Sequence, residues 1–148
     1  MNGINSLLDS NAIIFASKQK LDTDELLLRY QNFFVSIITY IEVYAYEFTD
    51  QTEKDFIDEF FKILKIVEVN KEIADQAIIY RKNKTKKIKL PDAIILASAK
   101  YANAELLTDD WDDFQNIDST VIVKDIDDLK IWKKFWLSLN FNKLAILW

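Results

Sequence analysis

Leu90-Pro91-Asp92-Ala93-Ile94-Ile95-Leu96-Ala97-Ser98-Ala99 is the stretch on which the fold turns. The spacing predicts a helix over 91–102, and Ala93 to Ala97, Ala99 and Ala102 make it apolar nearly all round. A helix with one apolar stripe lies on a surface, whereas one that is apolar all round must be enclosed. Pro91 stands at its first position, where the missing N–H is harmless, and Asp92 in its first turn, where the helix dipole favours an acid. Outward from this helix, short β-rich runs alternate with helical periods. Strands are expected at 4–8, 33–37, 66–69, 105–107 and 120–123. Helices are expected at 11–17, from a cap at Asp22-Thr23-Asp24 to about 30, at 39–48, 51–64, 71–83 and 127–139, with a helical turn at 110–114. The 51–64 helix carries a stripe of Phe56, Phe60, Ile63 and Leu64, and the 71–83 helix turns Ile73, Ala77 and Tyr80 inward. Strands alternating with helices predict an α/β fold whose parallel sheet is covered on both faces. In such folds ligands gather outside the carboxyl ends of the strands.

The composition excludes much. The chain has 148 residues, half of them hydrophobic, with a formal charge of −5, which suits one globular domain with a sizeable core. It has no Cys, so no disulfide, thiolate zinc site or cysteine nucleophile can form. It has no His, which removes the Ser-His-Asp triad, the imidazole base and the imidazole metal ligand. Gly3 is its single glycine, so it has no glycine-rich phosphate loop. The acidic balance is unlike that of a general nucleic-acid binder. The first ten residues carry no signal-peptide pattern, and no apolar run is long enough to span a bilayer. A soluble, cytoplasmic protein with no membrane partner is expected.

Four acids fall at equivalent places. Asp9 ends the first strand, and Glu42 falls in the first turn of the helix after the second. Asp92 opens the buried helix, and Asp110, with Asp109 beside it, follows the strand ending at Leu107. Each alone reads as a helix cap, Thr39 to Glu42 as a capping box, and Asp109 or Asp110 as the cap of the turn before Phe114. On a parallel sheet all four reach the same carboxyl edge. Two like charges about 4 Å apart repel by ~1 kcal/mol in water and ~4 kcal/mol at an effective dielectric near 20. A cap returns only about 0.5–2 kcal/mol. Convergence therefore calls for a cation or shared protons, and with oxygen donors alone the fitting ions are Mg²⁺ or Mn²⁺. Such an ion suits phosphodiester hydrolysis and needs no His.

Ser6-Leu7-Leu8-Asp9-Ser10-Asn11, Ser36-Ile37-Ile38-Thr39-Tyr40-Ile41-Glu42, the 90–99 stretch and Leu106-Leu107-Thr108-Asp109-Asp110-Trp111-Asp112-Asp113-Phe114 resemble, in order and spacing, the PIN-domain nucleases. The nearest likeness is to the VapC-type toxins of toxin–antitoxin pairs, over about 4–124. The resemblance implies a PIN-like three-layer α/β/α sandwich with a central parallel sheet, and Mg²⁺- or Mn²⁺-dependent endoribonuclease activity. It carries Asp9, Glu42 and Asp92 onto the family's core acids. By position after Thr108, Asp110 matches the fourth acid and Asp113 is the second candidate. Asp9 and Asp92 would hold the metal directly. Glu42 with Asp110 or Asp113 would complete its shell and help deprotonate water. Thr108 matches a hydroxyl that helps hold the site. The family also implies RNA as substrate, a cognate antitoxin and a homodimer. A non-catalytic PIN-like module binding RNA or protein is the alternative. A receiver domain would need an acid at Asn70, and a haloacid-dehalogenase-type phosphatase one at Asn11.

Arg81, Lys82, Lys84, Lys86, Lys87 and Lys89 form the one strong basic cluster, read either as a solvated helix end or as an RNA-binding strip leading to Asp92. The stretch 42–59, with seven acids and one Lys, reads as a solvated face. The nuclease domain is expected over 1–126. The tail over 127–148, with Trp132, Phe135, Trp136 and Leu139 at helical spacing, is expected to pack on it, or else to form an interface.

Overall fold

A computed structural model describes residues 3–131. The elements run β1 (Asn5–Leu8), α1 (Ser10–Ser17), α2 (Thr23–Arg29), β2 (Asn32–Ser36), α3 (Ile37–Tyr44), α4 (Gln51–Phe61), β3 (Lys65–Val67), α5 (Lys71–Arg81), α6 (Leu90–Tyr101), β4 (Ala104–Thr108), α7 (Trp111–Phe114) and β5 (Val123–Asp125), then a 3-10 turn over Ile126–Leu129. The five strands form one sheet in the order β3-β2-β1-β4-β5, with every pairing parallel. The chain winds outward from β1 through β2 to β3, then crosses back to lay β4 on the other side of β1. The β1/β4 boundary is thus the topological switch point, where ligands of open α/β sheets bind.

Successive strand residues point to opposite faces, and the core divides accordingly. Leu8 and Leu107 pack with Ala12 and Ile13 of α1, Leu26 of α2, and Ile57 and Phe60 of α4. Their neighbours Leu7 and Leu106 pack on the other side with Ile73, Ala77 and Tyr80 of α5 and Ile95, Leu96 and Ala99 of α6. This is the expected three-layer α/β/α sandwich. α6 is enclosed as its composition requires, and its one polar core residue, Ser98, donates its hydroxyl to the Ile94 carbonyl at 2.7 Å. Each fully buried Ile or Leu contributes about 1.5–3 kcal/mol relative to exposure.

Several boundaries differ from expectation. α3 begins at Ile37 because Ser36 caps it, its hydroxyl accepting the Ile38 N–H at 3.2 Å. Glu42 therefore lies in the second turn, and Thr39 is buried, so the Thr39–Glu42 capping box is not made. α6 begins at Leu90, with Pro91 second, still within the turn whose N–H groups lack helical acceptors. On α4 the stripe is completed by buried Ile57, whereas Ile63 lies beyond the helix end and is half exposed. β5 spans 123–125 instead of 120–123 because Asp118 closes a turn on Thr120 first, accepting its N–H at 2.9 Å and its hydroxyl at 2.6 Å. Where a helix was expected from 127, the chain makes the 3-10 turn and Lys130 bridges antiparallel to Leu21. The aromatic residues from Trp132 onward lie outside the described residues. With glycine absent from the loops, Asn103 (φ 49°) and Asn116 (φ 63°) take the left-handed positions after α6 and α7, a conformation Asn tolerates. Among the described residues no helix is long and apolar enough to cross a membrane.

Candidate active site

Asp9 leaves β1 at the switch point, and its N–H donates to the Leu107 carbonyl at 3.0 Å, continuing the ladder with β4. It also caps α1, one carboxylate oxygen accepting the Ser10 N–H at 2.8 Å. The other oxygen accepts the Thr108 hydroxyl at 2.8 Å, from the end of the adjacent strand. Asp9 is only 5% exposed. Burial pushes its carboxyl up to about 6; the Thr108 and Ser10 bonds oppose this, and the charges of Glu42 and Asp92 add to it.

The surrounding carboxylates are held by short polar side chains. The Thr108 hydroxyl accepts the Asp110 N–H at 3.0 Å, so one hydroxyl serves both Asp9 and the turn after β4. The Asn11 amide is used at both ends. Its NH₂ donates to an Asp110 oxygen at 3.0 Å and, more weakly, to Asp9 at 3.5 Å, while its oxygen accepts the Asp109 N–H at 3.0 Å. Asp110 occupies the cap position of α7 but makes no side-chain capping bond, and its carboxylate is turned to Asn11. Glu42 is exposed on α3 and accepts the Ser10 hydroxyl at 2.9 Å. Asp92, in the first turn of α6, is pushed above the usual carboxylate range by burial and then by the charges of Asp113, Glu42 and Asp110; Lys89 opposes this. Asp9, Glu42, Asp92, Asp110 and Asp113 thus share one negative field at the carboxyl edge.

Among the described residues no Lys or Arg makes an ion pair with any of these five. Their donor set is carboxylate oxygen with a hydroxyl at its back, hard ligands that fit Mg²⁺ or Mn²⁺ and lack the nitrogen or sulfur a softer ion takes. Asp9 and Asp92 are both pushed upward, chiefly by burial, and only at Asp92 does a cation, Lys89, oppose the push.

Asp109 goes elsewhere. Its carboxylate meets the Lys130 ammonium, which also binds Asp127 at 3.0 Å. Ser10, Asn11 and Lys130 hold the acids in place although none of them stands out along the chain as a site residue. Ser10 and Asn11 adjoin Asp9 in the first turn of α1, a local signal for them; Lys130 lies 21 residues from Asp109 and has none.

The basic cluster divides in two. The Arg81 guanidinium donates to the Ile88 carbonyl, and the Lys86 ammonium donates to the carbonyls of Asp112 and, at 2.8 Å, Gln115. These two brace the 82–89 loop against itself and against α7. Lys82, Lys84, Lys87 and Lys89 are exposed along the loop that ends at α6, beside Asp92.

A family model described as PIN domain matches residues 6–120. No curated protein matches the chain by sequence. Similar solved structures include VapBC from Salmonella typhimurium bound to DNA, with TM-score 0.70 and 19% identity over 83% of this chain and 98% of that one. VapBC2 from Rickettsia felis bound to a promoter DNA fragment has TM-score 0.69 and 21% identity, covering 82% and 98%. A toxin–antitoxin complex from Klebsiella pneumoniae has TM-score 0.61 and 27% identity, covering 79% and 95%. The family match covers most of the chain and takes in Asp9, Glu42, Asp92, Asp110 and Asp113 alike: this chain belongs to the PIN-domain family.

Proposed function

We propose that this chain is a Mg²⁺- or Mn²⁺-dependent endoribonuclease and the VapC-type toxin of a toxin–antitoxin pair. The observation that carries the reading is the buried, upward-shifted Asp9 carboxyl at the β1/β4 switch point, crowded by Glu42 and Asp92 and backed by Thr108. Family membership and the toxin–antitoxin complexes among similar structures support it.

Asp9 and Asp92 would hold the ion directly, with Glu42 and Asp110 completing its surroundings and Asp113 at the outer edge. When bound, a divalent ion of this kind polarises a phosphoryl oxygen and eases deprotonation of water. The rest falls to the chain. Thr108 and the Ser10 N–H fix both oxygens of Asp9, so that it presents its free lone pairs in one direction. Asn11 fixes Asp110, and Ser10 fixes Glu42. Exposed Glu42 is the group best placed to take the proton of the attacking water. The loop from Arg81 to Lys89 supplies the positive charge that an acidic site needs to hold a polyanion, since phosphate contacts supply most of such affinity. Lys82, Lys84, Lys87 and Lys89 would make the contacts, and Arg81 and Lys86 would hold the loop that presents them.

An antitoxin segment carrying Arg or Lys would be drawn to the same five acids. A cytoplasmic homodimer built on the 1–126 nuclease domain completes the reading.

Purified chain incubated with total RNA is expected to cleave it in Mg²⁺ or Mn²⁺ and to stop in EDTA, with Asp9→Asn inactive in both. Cleavage that survives EDTA, or an Asp9→Asn variant that cuts at the parent rate, refutes the proposal.

A further inference from the structure

Asp109 and Asp110 are chemically identical neighbours in one turn, yet their side chains part. The turn itself is fastened to the site by its backbone: the Asp109 N–H is held by Asn11 and the Asp110 N–H by Thr108, both at 3.0 Å. Asp110 then points its carboxylate to Asn11, beside Asp9. Asp109 points its carboxylate away, into a group in which its oxygen and those of Asp125 and Asp127 lie within 4.8 Å of one another. Three carboxylates that close repel strongly unless a cation sits among them. Here the cation is covalent. The Lys130 ammonium binds Asp109 and Asp127 and lies 5.0 Å from the centre of the Phe15 ring, with its side chain 13% exposed.

Lys130 is anchored independently of the turn it grips. Its backbone bridges to Leu21, the Ile131 N–H donates to the Lys20 carbonyl at 3.1 Å, and the Asp22 N–H donates to the Leu129 carbonyl at 2.7 Å. These bonds belong to the connection between α1 and α2. The position of the ammonium is thus set by the α1–α2 connection and imposed on the β4 turn.

We propose that Lys130 is a positioning residue for the candidate active site: by capturing the Asp109 carboxylate it leaves Asp110 to face Asp9 across Asn11. The inference deepens the nuclease reading and rests on it. Without the ammonium, the Asp109 carboxylate loses its ion pair while still lying within 4.8 Å of the carboxylate oxygens of Asp125 and Asp127. The repulsion is relieved by moving the turn, which pulls on the Asn11 and Thr108 bonds that place Asp110.

The test uses the full chain and compares Lys130→Met, Lys130→Arg, Asp109→Asn and the Lys130→Met/Asp109→Asn double variant. The readouts are kcat and KM on RNA in Mg²⁺, and Mn²⁺ affinity by calorimetry. Lys130→Met is expected to lower kcat about tenfold or more with KM unchanged, the mark of a group that acts on the reacting geometry and not on substrate binding. Mn²⁺ affinity falls with it. Lys130→Arg keeps both, and in the Asp109→Asn background, where the repulsion is gone, Lys130→Met has no further effect. Parent-like kcat in Lys130→Met overturns the inference, as does a defect that Arg shares or that persists in the Asp109→Asn background. A second comparison leaves Lys130 intact: Asp110→Asn is expected to lower kcat by about 10² or more and Asp109→Asn by less than about threefold, and the reverse order overturns the inference. A wild-type chain that cleaves RNA while Lys130→Met cleaves equally well leaves the nuclease reading standing. A wild-type chain with no metal-dependent cleavage removes both.

Discussion

Two groups of carboxylates sit a few residues apart at the carboxyl edge of the same sheet, and they are neutralised differently. Asp109 and Asp127 bind the Lys130 ammonium, with the Asp125 carboxylate close beside theirs. Asp9, Glu42, Asp92, Asp110 and Asp113 make no ion pair with a described Lys or Arg, and Asp9 and Asp92 are pushed upward, first by burial and then by neighbouring carboxylates. The first group carries its cation on a side chain and is a fastening. The second is where, on the proposed reading, a cation from solution would bind. Density of acids does not separate a structural cluster from a functional one; the presence of a tethered counter-charge does.

Asp9→Asn breaks the contrast most severely. It keeps an oxygen that can accept the Thr108 hydroxyl but removes the charge at the centre, and cleavage of RNA in Mg²⁺ is expected to fall by at least about 10², the scale on which one electrostatic contact to a transition state registers. Substrate gel assays measure it.

The same substitution sharpens the contrast when metal is absent. A carboxyl raised in the folded state favours its protonated form there. Its contribution to stability is whole below the unfolded value of 3.8 and is lost as pH rises through about 6. At pH 7 in EDTA, Asp9→Asn is therefore expected to be more stable than the parent by roughly 2–3 kcal/mol, the equivalent of about two units of carboxyl shift, and the gap closes near pH 4. Urea unfolding across that range is the measurement. A parent more stable than Asp9→Asn at pH 7 without metal contradicts the burial of an uncompensated charge.

Mn²⁺ then distinguishes an arranged site from a fastened one. An ion held by the Asp9 group at a hundredfold above its dissociation constant stabilises the fold by about 2.7 kcal/mol, several degrees in melting temperature. Asp92→Asn should abolish that rise, and Asp127→Asn should leave it in place.

The smallest effect is expected on the basic loop. Lys84→Gln with Lys87→Gln should raise KM for RNA by up to about tenfold and flatten its salt dependence, by about 0.7 in slope for each phosphate no longer neutralised, with kcat unchanged. Lys86→Gln should instead act on the α7 turn, because its ammonium already serves two carbonyls.

Most of the fold was legible along the chain because its signals are local. An all-apolar helix over 90–101 needs enclosure wherever it lies, and alternating strands and helices leave few topologies other than a parallel sheet. Asp9 was legible because its cap on α1 is read within a few residues, and Asp92 because an acid beside Pro91 marks a helix's first turn, although it makes no capping bond there. Glu42 is picked out by its place in the helix after the second strand and by the family resemblance; the competing reading, a capping box with Thr39, fails because α3 starts earlier and Glu42 accepts instead from Ser10, 32 residues away. Arg81 and Lys86 looked like their neighbours, since charge type does not reveal a carbonyl waiting across a loop.

The residue inventory determined by itself that this chain cannot use thiol, imidazole or glycine-loop chemistry, and the order of strand and helix periods that its sheet is parallel. Only the tertiary structure decided which acids stay unneutralised. Asp109 and Asp110 are the same side chain in adjacent places, and the choice between them lies with Asn11 and Lys130, brought there from 98 and 21 residues away by the packing of α1 and the 3-10 turn. Charge is a property of the residue, but the field it feels is set by the neighbours that folding supplies.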